Sequence, residues 1–578
     1  MKGDMTTLVQ FFASQKAYSV PIYQRSYCWG KDQVEQFFQD VMDVCQGNKE
    51  KHFIGTITIQ VMREDNRNQF YIIDGQQRLT TVLLLLLAIR NLLAKKRLNT
   101  RNLLLQARIE QDYLFINHQL DLDHSKLIPL VKDQEDYFNL LTKKTPKHKS
   151  NLVANYEYFY QQIPKQGIDP DLIYLALVDK LEVIQVTLEY FENAQQIFES
   201  LNSTGLDLTE VDKIKNYLLM NKSLEEQKRL YSTYWDPIER ATQHKLEEFF
   251  QNFLWIKLKK YIKPAKGKFY SIFKTYIEDS QEKEFLQEML HYAKLYTQIV
   301  IDSSSLPEEV DAILYRLRFL NQSVYHPFLL KVLDLYSKKG LSNDQLLSII
   351  KTIEICVFRR LIGSVSKQGF YPFMIQLDSF IYELEGNYEN YDVKLIEILS
   401  QQTGTRRIPS DEDFQRDLSH YNFSGSKTLL WYIFHCLENL EEEKSQDLLR
   451  ECRNQTYSIE HILPQTLSLE WKRSLGENWE EIHKMWLHRL ANLTLTGYNA
   501  QLSNRSFFEK RDRPFGFRNN GLNLNQWIAQ QEKWGEEQLK KRDTYLVQQA
   551  LKFWAWNPVK STEKDQPLNQ LFFSELSF

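Results

Sequence analysis

A chain of 578 residues is too long for one hydrophobic core, so about two to four domains are expected. With 43% apolar and 25% charged residues, the composition argues against fibrous, disordered and membrane classes. The net charge of −3 gives no global attraction to nucleic acid, so any phosphate contact must come from local clusters of Lys and Arg. The five cysteines, Cys28, Cys45, Cys356, Cys436 and Cys452, are scattered with no CxxC pair, and no zinc knuckle is expected. Met1 to Thr7 is mostly polar and resembles no secretory leader, and the longest apolar run, Val82 to Ile89, falls far short of a membrane span. A reducing cytoplasm is the expected compartment, with no membrane partner.

The N-terminal part reads as α/β. Tyr18 to Val20 is strand-like, Asp32 to Cys45 has helical periodicity, His52 to Met62 alternates as a strand, and Gln69 to Ile73 is a short apolar strand. Ile72 to Lys96, IIDGQQRLTTVLLLLLAIRNLLAKK, then turns from strand to helix across Gly75. That places Asp74, Gln76, Gln77 and Arg78 at the mouth of a strand-turn-helix unit, where free backbone N–H groups and the positive end of the helix dipole suit phosphate. Arg78 would add a bidentate contact, Asp74 a metal ligand, and Gln76 or Gln77 a water-orienting amide. The plain alternative is a tight turn whose Arg pairs with a neighbouring acid. Upstream, Tyr23, Tyr27 and Trp29 with Gln24 and Arg25 form an aromatic and cationic group that either stacks on a nucleobase or builds a core corner, function being favoured for Gln24 and Arg25.

Leu181 to Leu188 reads as a strand, Ala194 to Leu201 as a helix and Asn202 to Gly205 as a turn. Asn202, Ser203 and Thr204 reach a ligand phosphate or ribose, or else only satisfy that turn. Thr209 is a helix N-cap, with Asp212 standing where a capping box prefers Glu. From Ser223 to Gly404 the chain is largely helical, without repeats. Trp255 to Tyr270 carries six lysines among aromatics, and Lys257, Lys259 and Lys260 make either a DNA backbone track or a solvated face. Phe358-Arg359-Arg360 is an interdomain contact or a second basic patch.

From Thr405 onward, Asp411 to Leu418 and Lys427 to Leu440 are amphipathic helices leading into YSIEHILPQTL, Tyr457 to Leu467. Together with LHRLANLTLTGYNAQLSNRSFFEK, Leu487 to Lys510, this stretch supplies the parts for phosphodiester hydrolysis: a base to activate water and a cation to polarise phosphate. His461 titrates near working pH and is the candidate base. Glu460 and Asn499 offer oxygen ligands to Mg²⁺ or Mn²⁺. Asn492, in the turn, supports the His-bearing strand through the backbone. Arg505, Lys510, Arg511, Arg513 and Arg518 follow closely, as DNA backbone contacts or as a solvated basic face. Gln526 to Trp554 reads as helix, interrupted at Gly535, and the tail beyond Pro558 as irregular.

Glu460-His461-Ile-Leu-Pro464, Asn492-Leu-Thr-Leu, Asn499, Leu502-Ser-Asn504, Phe508 and Lys510 resemble the HNH endonuclease superfamily, in particular the nuclease half of GmrSD-type modification-dependent restriction enzymes. Ala491 departs from the Gly that many relatives carry. Pro21-Ile-Tyr23-Gln24-Arg25-Ser-Tyr27-Cys-Trp29, His52-Phe53-Ile-Gly55 and Asp74-Gly75-Gln76-Gln77-Arg78-Leu-Thr80-Thr81 are similar to the ParB-related N-terminal half of the same family, as are Phe198, Asn202, Gly205, Leu208, Asp212, Lys215 and Asn216.

The resemblance implies an α/β ParB-like domain over 1–222, a mainly α-helical middle over 223–404, a ββα-metal HNH nuclease domain over 405–560 and a tail over 561–578. It implies nucleoside-triphosphate binding, base unknown, by Gln24, Arg25, Asp74, Gly75, Gln76, Gln77, Arg78, Thr80, Asn202 and Thr204, with Asp74 and Arg78 serving hydrolysis. It further implies cleavage of modified, foreign, double-stranded DNA with Mg²⁺ or Mn²⁺; a single chain and a homo-oligomer both stay open. A nucleotide-switched DNA-binding protein with a degenerate nuclease half, or an unspecific nuclease toxin, is the alternative.

Overall fold

A computed structural model describes residues 2–12, 16–64, 67–116, 124–144, 146, 149–189, 192, 197, 208–220, 222–263, 268–278, 282–385, 387–440 and 446–556. The expected helix at 194–201, the turn at 202–205 with Asn202 and Thr204, and the tail at 561–578 lie outside these residues or touch them only at Ile197. The chain divides into two compact units, Met1–Arg240 with Pro264–Gln287, and Ala241–Lys263 with Glu288–Phe578.

The first unit is mixed α/β. Six strands, β1 Lys2–Thr7, β2 Tyr18–Ser19, β3 His52–Glu64, β4 Arg67–Asp74, β5 Leu127–Ile128 and β6 Leu181–Leu188, form one sheet in the order β1-β6-β3-β4-β2-β5. β3 pairs antiparallel with β4 and parallel with β6, and β2 lies parallel to both β4 and β5. The polar edge strand β1, KGDMTT, carries no apolar alternation and is recognisable only from its pairing with β6.

Behind the sheet runs the helix Gln76–Ala94, whose residues from Val82 to Ile89 are all fully buried. A helix apolar on every side needs cover all round, and the helix Asn151–Gln162 supplies part of it. Its length and hydropathy match a membrane span, yet 83% of that window is buried inside the fold. Gly75 makes the turn from β4 into this helix at φ +89°, where a Cβ would stand 2.9 Å from the Thr56 carbonyl. Farther on, Thr209 and Asp212 close a reciprocal capping box, so Asp reaches back as Glu would.

The second unit is helical around a two-stranded ribbon, β7 Ser458–His461 against β8 Leu493–Thr496. Its middle helices and its C-terminal region are one body, although a boundary near 405 was expected. The reason is Arg359, fully buried on the helix Asn343–Ile362: it donates to the Trp554 and Pro409 carbonyls at 2.8 and 3.0 Å and pairs with Asp411 at 2.5 Å. Arg360 likewise donates to the Arg407, Ser366 and Thr405 carbonyls while lying over the Phe370 ring. Phe358-Arg359-Arg360 is therefore an internal staple and no basic patch. The helical stretch Gln526 to Trp554 breaks at Gly535 into Asn523–Ala529 and Glu536–Phe553. All five cysteines are free thiols.

Candidate functional site

In the ribbon, Glu460 faces Thr494 and His461 faces Leu493. Strand alternation turns the two side chains apart, although both residues border one cavity. Glu460 is 3% exposed, and its Oε1 lies 2.5 Å from the Nζ of Lys510, which is fully buried on the short helix Phe507–Asp512. The same ammonium donates to the His461 carbonyl at 2.8 Å. Burial pushes the Glu460 carboxyl up and the Lys510 ammonium down, each opposed by the charge of the other. Lys510 is thus no DNA contact, because its charge is spent inside the fold on Glu460.

His461 lines a cavity of about 810 Å³ together with Glu460, Gln465, His488, Asn499, Asn504 and Lys427. Gln465 Nε2 is 3.3 Å from His461 Nδ1, and His488 Nδ1 is 3.3 Å from His461 Nε2. An amide N–H can only donate, so Nδ1 of His461 is the acceptor and its proton sits on Nε2, directed at His488. Burial, followed by the neighbouring charges of His488, Lys510 and His483, pushes the imidazole down to about 4. At neutral pH it is uncharged, with a basic lone pair on Nδ1.

Two asparagines hold this arrangement. Asn492 is fully buried: its Oδ1 accepts from Leu463 N at 2.7 Å, and its Nδ2 donates to the Leu463 and Leu487 carbonyls at 2.9 and 3.2 Å. With its amide engaged by backbone, Asn492 holds the turn after His461, in line with the supporting part expected of it. Asn499 donates to the Ile459 carbonyl at 2.6 Å and keeps Oδ1 as its remaining ligand atom beside the cavity. Arg542, also fully buried, pins the start of β8 through the Ala491 and Leu493 carbonyls.

Sequence reasoning missed His488 and Gln465. Gln465 follows His461 by four residues in the same stretch, whereas His488 is brought to it only by the fold. Among the described residues no three His, Cys, Asp or Glu side chains converge on a common point. The donors at the cavity are instead the carboxamides of Asn499 and Asn504, the imidazoles of His461 and His488 and the single carboxylate of Glu460, whose charge Lys510 shares. That set fits a hard divalent cation bound largely through water and substrate phosphate, as Mg²⁺ is.

The basic run after the ribbon is mostly compensated. Arg505 and Arg513 pair with Glu509 at 3.2 and 2.6 Å, and Arg511 and Arg518 with Asp512 at 2.6 and 2.8 Å. Arg511 is also buried and donates to the Gln531 carbonyl, so its expected DNA contact gives way to a packing one. Arg505 is partly exposed and keeps one face to solvent. Lys257 pairs with Glu288 and sits over the Tyr292 ring, whereas Lys259 and Lys260 are exposed.

At the N-terminal mouth the glutamines face inward. Gln24 donates to the Ile73 carbonyl at 2.7 Å, Gln76 to the Arg25 carbonyl at 2.9 Å, and Gln77 both accepts from Cys28 N at 2.8 Å and donates to the Ser26 carbonyl at 3.2 Å. All three are buried, as is Thr80 at 4% exposure. They fasten residues 24–29 to the start of the helix, and the ligand roles expected of them give way to that task. Tyr23 and Tyr27 are core residues too, Tyr27 bonding Thr81 at 2.7 Å. Lys215, pushed down to about 8 by burial, donates to the Gln24 carbonyl at 2.9 Å.

Asp74 and Arg78 remain partly exposed at the mouth with their charged atoms 3.6 Å apart. Arg78 also donates to the Thr56 carbonyl at 2.9 Å and lies against Gly55, where a Cβ would come within 3.0 Å of the guanidinium. Beside them the helix N-terminus at Gly75 has no side-chain cap. Arg25 is half-buried next to this group.

Residues 8–219 match the family model described as GmrSD restriction endonuclease, N-terminal domain, and residues 408–549 match GmrSD restriction endonucleases, C-terminal domain. No curated protein matches the chain.

Proposed function

Since the chain belongs to the GmrSD-type restriction endonucleases, we propose that it cleaves modified foreign DNA at an HNH-type ββα-metal centre around His461, under the control of a nucleoside triphosphate bound at Asp74 and Arg78. The observation that carries the nuclease reading is an uncharged His461 whose Nδ1 faces a cavity beside Asn499 and Asn504. In this reading Nδ1, released from Gln465, takes the proton of the attacking water, while Nε2–H stays anchored on His488. Asn492 keeps the turn at Leu463 in register, so the imidazole meets the phosphate at a fixed angle. Mg²⁺ or Mn²⁺, held by Asn499 with Glu460, would polarise the phosphodiester and stabilise the leaving oxygen. Lys427, on the cavity wall, offers a charge to the DNA strand.

At the N-terminal unit, the partly exposed Arg78 and the uncapped helix start would receive the terminal phosphates, and Asp74 their metal ion. A double-stranded DNA substrate and a nucleoside triphosphate are the proposed partners. The pairing of Glu460 with Lys510 is the one observation that favours the second reading, a nucleotide-switched DNA-binding protein whose nuclease half is degenerate. One experiment separates them: digestion of hydroxymethylated, glucosylated, phosphorothioated and plain DNA, and of RNA, by wild type and His461→Ala, with Mg²⁺ or chelator and with or without nucleotide. Metal-dependent, His461-dependent cutting of one modified DNA supports the proposal. Binding without cutting supports the second reading, and equal cutting of every substrate an unspecific nuclease.

A further inference from the structure

Within the second unit lies another cavity, of about 520 Å³, which shares no lining residue with the one at His461. Four helix ends meet there. Lys245 is the N-cap of the helix Leu246–Leu258, Arg318 lies in the last turn of Glu308–Leu320, His326 opens His326–Ser337, and Arg453 closes Leu448–Arg453. All four residues line the cavity, with Tyr315 and Phe319 as aromatic wall. Its charge is positive: among the described residues Glu248 is the one carboxylate of the lining, and none of the cations Lys245, Arg318 and Arg453 has an ion-pair partner.

Arg318 is held by its surroundings. Its Nε donates to the Ile299 carbonyl at 3.2 Å, and its Nη2 to the Gln298 carbonyl at 2.9 Å and to Ser303 Oγ at 2.5 Å. Nη1 makes no hydrogen bond among the described residues and is not sealed from water. The exposed Arg453 lies over the Phe319 ring at 4.9 Å. His326 is only 7% exposed, yet one of its nitrogens is open as well. Nδ1 lies 3.0 Å from Glu248 Oε1, and a carboxylate only accepts, so the ring proton sits on Nδ1. Burial holds the imidazole below its ordinary value and uncharged. Nε2 is therefore an acceptor; it has no partner among the described residues and keeps access to water.

We propose that this cavity binds a small phosphorylated sugar, its phosphate against Lys245, Arg318 and Arg453 and one of its hydroxyls donating to His326 Nε2. The guanidinium groups offer planar N–H donors to phosphate oxygens, and Lys245 a point charge. A phosphate alone leaves the buried Nε2 without a donor, whereas a sugar hydroxyl supplies one. The volume lies in the range of small-molecule pockets and is far too small for a DNA duplex. None of these residues belongs to the His461 centre or to the mouth at Arg78, so the proposal stands apart from both of those readings.

The test is calorimetric titration of the full-length protein with ribose 5-phosphate, AMP, inorganic phosphate and ribose. Ribose 5-phosphate is expected to saturate with a dissociation constant on the order of 0.1 mM, inorganic phosphate to bind about ten-fold more weakly, and ribose not to saturate. Lys245 and Arg453 are exposed, so Lys245→Ala and Arg453→Ala should melt as wild type does and each weaken ribose 5-phosphate about ten-fold. His326→Phe should bring ribose 5-phosphate down to the affinity of inorganic phosphate; if that core substitution perturbs folding, the two exposed variants keep the test valid. AMP binding tighter than ribose 5-phosphate supports the proposal with a nucleotide as the source, its base on Tyr315 and Phe319, and equal affinity supports it with a free sugar phosphate. Equal binding of inorganic phosphate and ribose 5-phosphate, no saturation, or unchanged binding in both exposed variants overturns it. Loss of ribose 5-phosphate binding in Arg78→Ala places the ligand at the N-terminal mouth and overturns it too. Displacement of ribose 5-phosphate by a short DNA duplex assigns the cations to DNA and overturns a small ligand.

Discussion

Lys510 and Glu460 form an ion pair at 2.5 Å with both side chains out of reach of solvent, and the same ammonium holds the carbonyl of the catalytic candidate His461. Removing one partner of such a pair strands a buried charge. Lys510→Met is expected to lower stability by about 3 to 5 kcal/mol. Glu460→Met with Lys510→Met should recover a large part of that loss, because the two apolar side chains fill the site without a charge. Urea unfolding of the three proteins checks this; a double variant no more stable than the single one would contradict it.

Asn492 tests positioning against contact. Asn492→Ala leaves the buried N–H and C=O of Leu463 without their partner and should cost about 2 to 3 kcal/mol. Cleavage should fall through misplacement of His461, with Mn²⁺ affinity, measured by calorimetry, near that of wild type. Loss of metal binding with stability unchanged would mean that Asn492 is a ligand.

Motif residues were legible in the sequence as types, and their directions were not. DGQQR marked the strand-turn-helix mouth correctly, but Gln76 and Gln77 point back into the fold, where they satisfy the backbone of residues 24–29. Residue identity carries no sign of which face a helix start buries. Glu460 and His461 are adjacent in sequence, and adjacency in a strand means opposite faces. The arginines after the ribbon suggested a DNA surface, yet Glu509 pairs with Arg505 and Arg513 four residues to either side, and Asp512 with Arg511 and Arg518. The strands and helices themselves followed hydrophobic periodicity closely. The exceptions were polar β1, which only its partner strand defines, and the fusion of the middle helices to the C-terminal region through Arg359, a single residue that periodicity cannot single out.

His461 should shape the pH dependence of cleavage. A base works only when unprotonated, and burial together with the His488 ring holds this imidazole down at about 4. The acid limb of kcat/KM is therefore expected well below the ordinary histidine value of about 6.5. His488→Ala removes one of the neighbours that depress it and should move the limb upward, while His461→Ala should cut the rate by about 10² to 10⁴. An acid limb centred at the ordinary histidine value in wild type would sink the assignment.

His435, buried on the helix Lys427–Glu438, is held down to about 4 by burial and then by Arg316. The unfolded chain binds this proton below about pH 6.5 and the folded one only below about 4, so stability falls as pH drops through that window. The full cost is about 3 kcal/mol. His435→Gln should flatten the acid side of the melting curve measured between these values, and an unchanged slope would contradict this account.

Arg78 and Gln77 are neighbours with opposite tasks, and that contrast gives the last prediction. Gln77 is buried and tied to the backbone of Ser26, Cys28 and Trp29, so Gln77→Ala should lower the melting temperature with nucleotide affinity little changed in the folded fraction. Arg78 is partly exposed beside Asp74 and an uncapped helix start, so Arg78→Ala should fold normally and lose phosphate release. Gly55→Ala pushes on the same guanidinium and strains a φ of +111°, and it should reproduce part of the Arg78 effect. A nucleotide controls the His461 centre only if it binds the resting and the cutting states with different affinity. Arg78→Ala is therefore expected to change the nucleotide response of DNA cleavage as well as hydrolysis. Phosphate release and cleavage of modified DNA, measured side by side for wild type, Gln77→Ala, Arg78→Ala and His461→Ala, decide it. Normal hydrolysis by Arg78→Ala, or lost hydrolysis with cleavage and its nucleotide response intact, would leave the N-terminal unit without the coupling assigned to it.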